Sequence, residues 1–310
     1  MQIRDATQVD AAKGVRVTVR AVGISGADVH AWRGDISDQN YPMTLGHEIS
    51  GVDDTGACVA VNPLIYCGEC DACVVGQTNI CQNRQVLGSG SVAGGLAGSV
   101  DVPRRNLMRV PDHLGFEQAS LIDPLARGWH VARLARRAFP KGRTALVIGG
   151  GALGFAAALS LRTQGVDNTR LVEENAIRAD YLKGKTDMPV TAPSDLPVQD
   201  AYDIVIDAVG SVASRALASL RVRAGGIIGH IGLGDVTGGF DMRRLTMNEV
   251  TIIGTYAYSA LDFEQTAEAV FEGRLGALDW YEARPVTHAA AAFDDLNAGR
   301  VASPRVVLTL

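Results

Sequence analysis

The sequence predicts an α/β protein in two parts: a doubly wound parallel sheet of the dinucleotide-binding kind and a separate β-rich unit. Three observations carry this. The glycine turn Gly149-Gly150-Gly151-Ala152-Leu153-Gly154 lies between an apolar run and an alanine-rich helical stretch. From residue 144 to 271, strand-like and helix-like segments alternate, as a parallel sheet with covering helices requires. Before residue 110, glycine-rich turns separate short strand-like segments.

In order along the chain, 15–21 alternates β-branched and polar residues and suits a half-buried strand. Segments 59–61, 98–102 and 107–110 are further strands. After Pro111, 116–130 and 132–138 have helical spacing. The continuous apolar run 144–148 fits a parallel strand covered on both faces. A helix is expected over 152–161 and a strand over 168–172, followed by a polar, proline-containing segment over 183–200. Strands at 203–207, 226–232 and 251–254 and helices at 213–220 and 261–271 complete the alternation. The final strand, at 305–308, is expected to return to the first part.

A length of 310 residues suits two domains. The net charge of -5, with 29 basic against 34 acidic residues, argues against nucleic acid or a membrane surface as partner. The segment 1–6 carries no basic stretch leading into an apolar core, and no apolar run reaches the length of a membrane span, so a cytoplasmic location is the expectation.

The glycine turn has the pattern G-x-G-x-x-G in its proper strand–turn–helix setting. Gly149 allows the tight turn, Gly151 lets the backbone approach a pyrophosphate, and Gly154 allows close helix–strand packing. The N–H groups at Ala152 and Leu153 open the helix toward the phosphates. Glu173, at the end of the next strand, suits the adenosine ribose hydroxyls and would repel a 2′-phosphate, which favours NAD over NADP. Arg178 is placed to pack on the adenosine. The plainer readings are a turn that binds nothing and a Glu173 that is only a surface acid.

Cys67-x2-Cys70-x2-Cys73-x7-Cys81 puts four soft ligands in one loop, with Gly68 and Gly76 to turn the chain. Tetrahedral zinc on four thiolates, closed to substrate and structural, is the natural product. Iron and four reduced cysteines are the alternatives.

Together with Gly23-Ile24-Ser25-Gly26-Ala27-Asp28-Val29-His30, Leu45-Gly46-His47-Glu48, Asp123-Pro124-Leu125-Ala126 and Asp207-Ala208-Val209-Gly210, these motifs resemble the zinc-containing alcohol and polyol dehydrogenases of the medium-chain dehydrogenase/reductase superfamily over nearly the whole chain. The resemblance implies a GroES-like catalytic domain from 1–122 and 275–310, with a zinc lobe at about 63–85, and a Rossmann domain at 123–274. It also implies an active site in the cleft between them, a homodimer or homotetramer, and a cofactor contact from Arg305. A catalytic zinc carries over to His47, Glu48 and Asp123, with Ser25 at the place of the family's cysteine ligand. Serine is a far weaker ligand than a thiolate. Ala27 replaces the hydroxyl residue that relays the substrate proton, and His30 is a candidate substitute. The chain is shorter after Gly51 and after Tyr181 than its relatives.

The expected function is NAD-dependent hydride transfer with a secondary alcohol, polyol or ketone. Its alternatives are a metal-independent reductase, with Arg127 or His30 stabilising the negative oxygen, and a nucleotide-binding sensor or partner subunit without chemistry. Arg127 suits a carboxylate or phosphate, or an internal ion pair. Trp129, Tyr256 and Tyr258 are placed either to line the cofactor cleft or, more simply, to pack in the core.

Overall fold

The computed structural model describes residues 14–35, 42–90 and 92–310; the reading of 1–6 lies outside them. The first strand, β1 (Val15–Ile24), alternates buried and open side chains and then becomes buried on both faces. Helix α1 (Gly26–Arg33) follows, and a hairpin pairs β2 (Glu48–Val52) with β3 (Cys58–Val61). Two short strands, β4 (Leu64–Ile65) and β5 (Gln85–Val86), pair with each other and close the cysteine lobe, which contains α2 (Asp71–Val74). Strands β6 (Ser99–Val102) and β7 (Leu107–Arg109) complete this part of the chain.

Two helices come next, α3 (Phe116–Ser120) and α4 (Ile122–Ala138). The spacing had suggested a break near 131, but the break falls at Leu121. Pro124 explains it: in the first turn of α4 its missing N–H has no intrahelical acceptor to lose.

The parallel part runs β8 (Thr144–Ile148), α5 (Ala152–Thr163), β9 (Asn168–Val172), α6 (Ala176–Lys183), β10 (Val190–Thr191), β11 (Tyr202–Asp207), α7 (Val212–Arg221), β12 (Val222–His230), α8 (Met242–Met247), β13 (Thr251–Gly254) and α9 (Ala260–Phe271). After it come β14 (Tyr281–Pro285), α10 (Ala289–Asn297) and β15 (Arg305–Thr309). Strand β12 begins at Val222, earlier than its apolar run, because 223–225 are exposed and leave no hydrophobic signal.

The first sheet has the order β14-β15-β1-β2-β3-β7, with β6 beside β1. The C-terminal strand therefore returns to the N-terminal sheet, with Val22 opposite Leu308. The second sheet has the order β10-β9-β8-β11-β12-β13, and all of its pairs are parallel. Its direction of winding reverses between β8 and β11, and the crevice beyond their carboxyl ends is where such sheets take ligands. Ile148 is in register with both Val172 and Asp207, so the glycine turn lies between Glu173 and Ala208.

The two parts share an interior: Phe155 of α5 meets Trp280, just before β14, edge-on with ring centroids 5.6 Å apart. Among the described residues no helix is long and apolar enough to cross a membrane.

Candidate active site and cysteine lobe

Gly149 has φ +99° and donates its N–H to the Val172 carbonyl at 2.8 Å. A Cβ on Gly154 would lie 1.8 Å from the Gly149 carbonyl oxygen, so only glycine lets α5 start this close to its strand. A Cβ on Gly151, the N-cap of α5, would meet no protein atom within 4 Å. The open space at Gly151 is where a phosphate could reach the N–H groups of Ala152 and Leu153. Glu173 is buried; it accepts the Gly150 N–H at 2.8 Å and the Asn175 N–H at 2.7 Å. Arg178 stands 3.7 Å from Glu173 and reaches the Val301 carbonyl at 3.4 Å, while its Nε has no partner.

A second group forms where β2 meets the start of α4. His47, Glu48 and Asp123 are all buried, and one ligand atom from each lies within 4.8 Å of the others. Burial pulls His47 below its usual pKa, which favours the neutral imidazole. Its Nδ1 stands 3.8 Å from Asp28, a buried carboxylate that also accepts the N–H of Ser25 and the N–H of Gly46, each at 2.8 Å. Burial pushes Glu48 up to about 8, although the Arg305 guanidinium, 2.9 Å from its Oε1, pulls the other way. Glu48 Oε2 has no partner. Burial would also raise Asp123, but Arg127 and His47 hold it below the usual carboxylate range, helped by hydrogen bonds from Arg127 and Tyr258. Arg127 Nε donates to Asp123 Oδ2 at 2.9 Å, and the Tyr258 hydroxyl donates to Oδ1.

The remaining expected residues stand as follows. Ser25 is the N-cap of α1: its hydroxyl donates to Asp28 at 2.7 Å and accepts the Asp28 N–H, an arrangement written in the spacing Ser25-x-x-Asp28. His30 is on the exposed last turn of α1, 3.3 Å from Asp35, and does not join the buried group. Arg305 is buried, with Glu48 and the Ile24 carbonyl as partners and its Nε unpartnered. Asp28 is a further member of the site, and its only sequence signal is the capping spacing. Tyr258 is more than core packing: it is buried, and its hydroxyl reaches Asp123 from 135 residues away.

The glycine turn and the buried group are rigidly connected. A Cβ on Gly128 of α4 would lie 2.4 Å from the Ala156 backbone of α5, so the two helices touch backbone to backbone. Asp123 and Gly151 each precede that contact by five residues, about 7 Å along its own helix.

In the lobe, Cys67, Cys70, Cys73 and Cys81 place their sulfurs within 4.8 Å of one another, with Cys67–Cys81 at 3.5 Å, Cys70–Cys81 at 3.8 Å and Cys67–Cys73 at 3.9 Å. Four sulfurs about 2.3 Å from a common centre would stand about 3.8 Å apart. Gly68 and Gly76 both have positive φ, which turns the chain around the cluster. Backbone N–H groups, first that of Glu69 and then that of Cys70, lower Cys67 to about 6.

Residues 11–112 match the alcohol dehydrogenase GroES-like domain. The chain is 30% identical over 282 residues to 2-dehydro-3-deoxy-L-galactonate 5-dehydrogenase of Pseudoalteromonas atlantica, covering 84% of this chain and 81% of that one. It is 29% identical over 280 residues to L-galactonate-5-dehydrogenase of Escherichia coli, with the same coverage. Acetophenone reductase of Geotrichum candidum, solved in complex with NAD, superposes with a TM-score of 0.85 at 26% identity, over 96% of this chain and 90% of that one. With its GroES-like sheet, its parallel dinucleotide-type sheet and its four-cysteine lobe, the chain belongs to the medium-chain dehydrogenase/reductase superfamily.

Proposed function

We propose that this protein is an NAD-linked oxidoreductase that moves hydride between the nicotinamide and the carbon of a secondary alcohol, polyol or matching ketone. The observation that carries this reading is the backbone contact at Gly128, which fixes the buried His47–Glu48–Asp123 group to the glycine turn. In this reading the turn at 149–154 and the N-terminus of α5 hold the pyrophosphate, and Glu173 takes the ribose hydroxyls and disfavours a 2′-phosphate. Arg178 and Arg305, each with an unpartnered Nε, are the further cofactor contacts.

His47, Glu48 and Asp123 fit a divalent cation: a neutral imidazole, a carboxylate with an orphaned oxygen and a second carboxylate converge in a buried space. Such N/O/O sets with an open position suit catalytic zinc. When bound, the ion polarises the alcohol or carbonyl oxygen, and the nicotinamide carries the hydride. The chain's own part is orientation. Asp28 aligns His47, Arg305 holds one oxygen of Glu48, and Arg127 with Tyr258 holds Asp123. Ser25 contributes by capping α1 and fixing Asp28, which in turn aligns His47. The lobe cysteines hold a structural zinc.

A second reading, a reductase without the second metal, draws support from Asp123, whose two oxygens already accept from Arg127 and Tyr258. Metal analysis separates the two readings: two zinc ions per chain support the first and one supports the second. The five free cysteines suit a reducing compartment such as the cytoplasm. A homodimer or homotetramer is the assembly we assign, and light scattering tests it. The reading as a whole is tested by calorimetric titration with NAD and NADP, followed by a screen of alcohols and ketones. Tighter binding of NAD and turnover of at least one substrate are expected; absence of both overturns it.

A further inference from the structure

Among the described residues, the buried arginines spend their terminal amines on the protein itself. Arg215 gives both Nη groups to the carbonyls of Gly210, Asp235 and Gly238. Arg221 gives both to the carbonyls of Leu196, Pro197 and Val198. Arg305 gives one to Ile24 and one to Glu48. Arg127 is different. Its Nε is bound to Asp123, its guanidinium lies 5.8 Å from the Tyr258 ring centre, and neither Nη has a hydrogen-bond partner among the described residues. Its side chain is 22% exposed.

We propose that Arg127 receives a carboxylate of the substrate, so that the site takes a polyhydroxy acid or its keto form in preference to a neutral polyol. This rests on the oxidoreductase reading above. A guanidinium has five N–H donors, and here four of them, on the two Nη atoms, are unspent. Asp123 and the tyrosine ring fix the plane of the fork, so little rotamer freedom is lost when an anion docks on it. The paired Nη groups match the two oxygens of a carboxylate. A phosphate monoester, with close to two negative charges, fits less well beside Asp123 than a carboxylate with one. Arg127 lies one helical turn beyond Asp123 and its Nε donates to the Oδ2 of that residue, which places the fork at the edge of the His47–Glu48–Asp123 group.

The test is a panel of six-carbon aldonates, the alditols of matching configuration and the corresponding polyol phosphates, with NAD, on the wild-type protein and on Arg127→Met, Arg127→Lys and Tyr258→Phe. The readout is the ratio of kcat/KM for acid over alditol, from which a general loss of activity cancels. The wild type is expected to favour acids by about a hundredfold, the scale of a well-formed charged contact. Arg127→Met should abolish the preference, and Arg127→Lys, which keeps the charge without the fork, should keep only part of it. Tyr258→Phe disturbs Asp123 but not the fork, so it should lower turnover and keep the ratio. An unchanged ratio in Arg127→Met, or a wild type that prefers alditols or phosphates, overturns the proposal while leaving the oxidoreductase reading intact. If nothing is turned over, that reading fails, and calorimetry of the same acid and alditol pairs on the cofactor-mixed protein still decides: acid binding that Arg127→Met does not weaken overturns the role of Arg127.

Discussion

Gly151→Ala separates the binding of a cofactor from the integrity of the fold. Gly151 has φ −67° and ψ 180°, a conformation alanine adopts freely, and an added methyl would touch no protein atom within 4 Å. The substitution should therefore leave stability unchanged or raise it by about 0.4–1 kcal/mol, because alanine has fewer unfolded conformations to lose. The same methyl stands in the space we assign to the pyrophosphate. Displacing the phosphates there should weaken NAD binding at least about tenfold, or roughly 1.4 kcal/mol. Gly154→Ala is the contrasting case: its Cβ starts 1.8 Å from the Gly149 oxygen and must retreat by more than 1 Å, at a cost of about 1–3 kcal/mol in stability. The assay is thermal unfolding with and without NAD, backed by calorimetric Kd. The wild type should gain about 2.7 kcal/mol at a hundredfold excess of NAD over Kd, and Gly151→Ala should lose at least about half of that gain at the same NAD concentration without a lower ligand-free Tm. A Gly151→Ala protein that binds NAD as the wild type does would refute the placement of the phosphates.

Other substitutions probe the rest of the account. Asp262 is fully buried; burial alone would raise its pKa, but hydrogen bonds from His130, Arg133 and Ser259 hold it well below the usual carboxylate range. Its contribution is then complete above the unfolded carboxylate pKa of about 3.9 and is lost as pH falls below that value. Asp262→Asn should cost about 3–5 kcal/mol at pH 7 in urea unfolding, and the difference from wild type should shrink in acid. Cys81→Ser should remove one zinc per chain by elemental analysis and lower Tm, since a structural site contributes folding energy directly. Ser25→Cys should act in two opposite directions: loss of the serine cap lowers stability by about 1 kcal/mol, while the added thiolate raises retention of a second metal through dialysis. A second metal that leaves Ser25→Cys in dialysis as fast as it leaves the wild type would contradict the assignment of that space.

Features written in consecutive residues were legible from the sequence. The glycine turn and the cysteine spacing each place their groups through local backbone geometry, and the structure brings the members of each together. The Ser25-x-x-Asp28 cap is equally local, but Ser25 also falls at the place of a metal ligand, which hides its role at the helix start. Arg127 beside Asp123 follows from their four-residue spacing on a helix. Tyr258 on Asp123 and Arg305 on Glu48 have no local signature, since each pair is joined only by the tertiary fold. Strand β14 has little sequence signal because its Tyr281–Pro285 stretch is half-exposed and partly charged, and α10 because its buried Ala289 and Ala292 do not stand out from the exposed alanines between them.

The central claim, NAD-linked hydride transfer at the group anchored by His47, is tested most directly by following NADH absorbance. Purified protein with zinc and NAD is mixed with the panel of polyols and polyhydroxy acids, beside His47→Ala. The account predicts NADH formation with at least one substrate by the wild type and a loss of about a hundredfold or more in His47→Ala. A wild type that binds NAD yet forms no NADH with any substrate, or a His47→Ala protein as active as wild type, would contradict it.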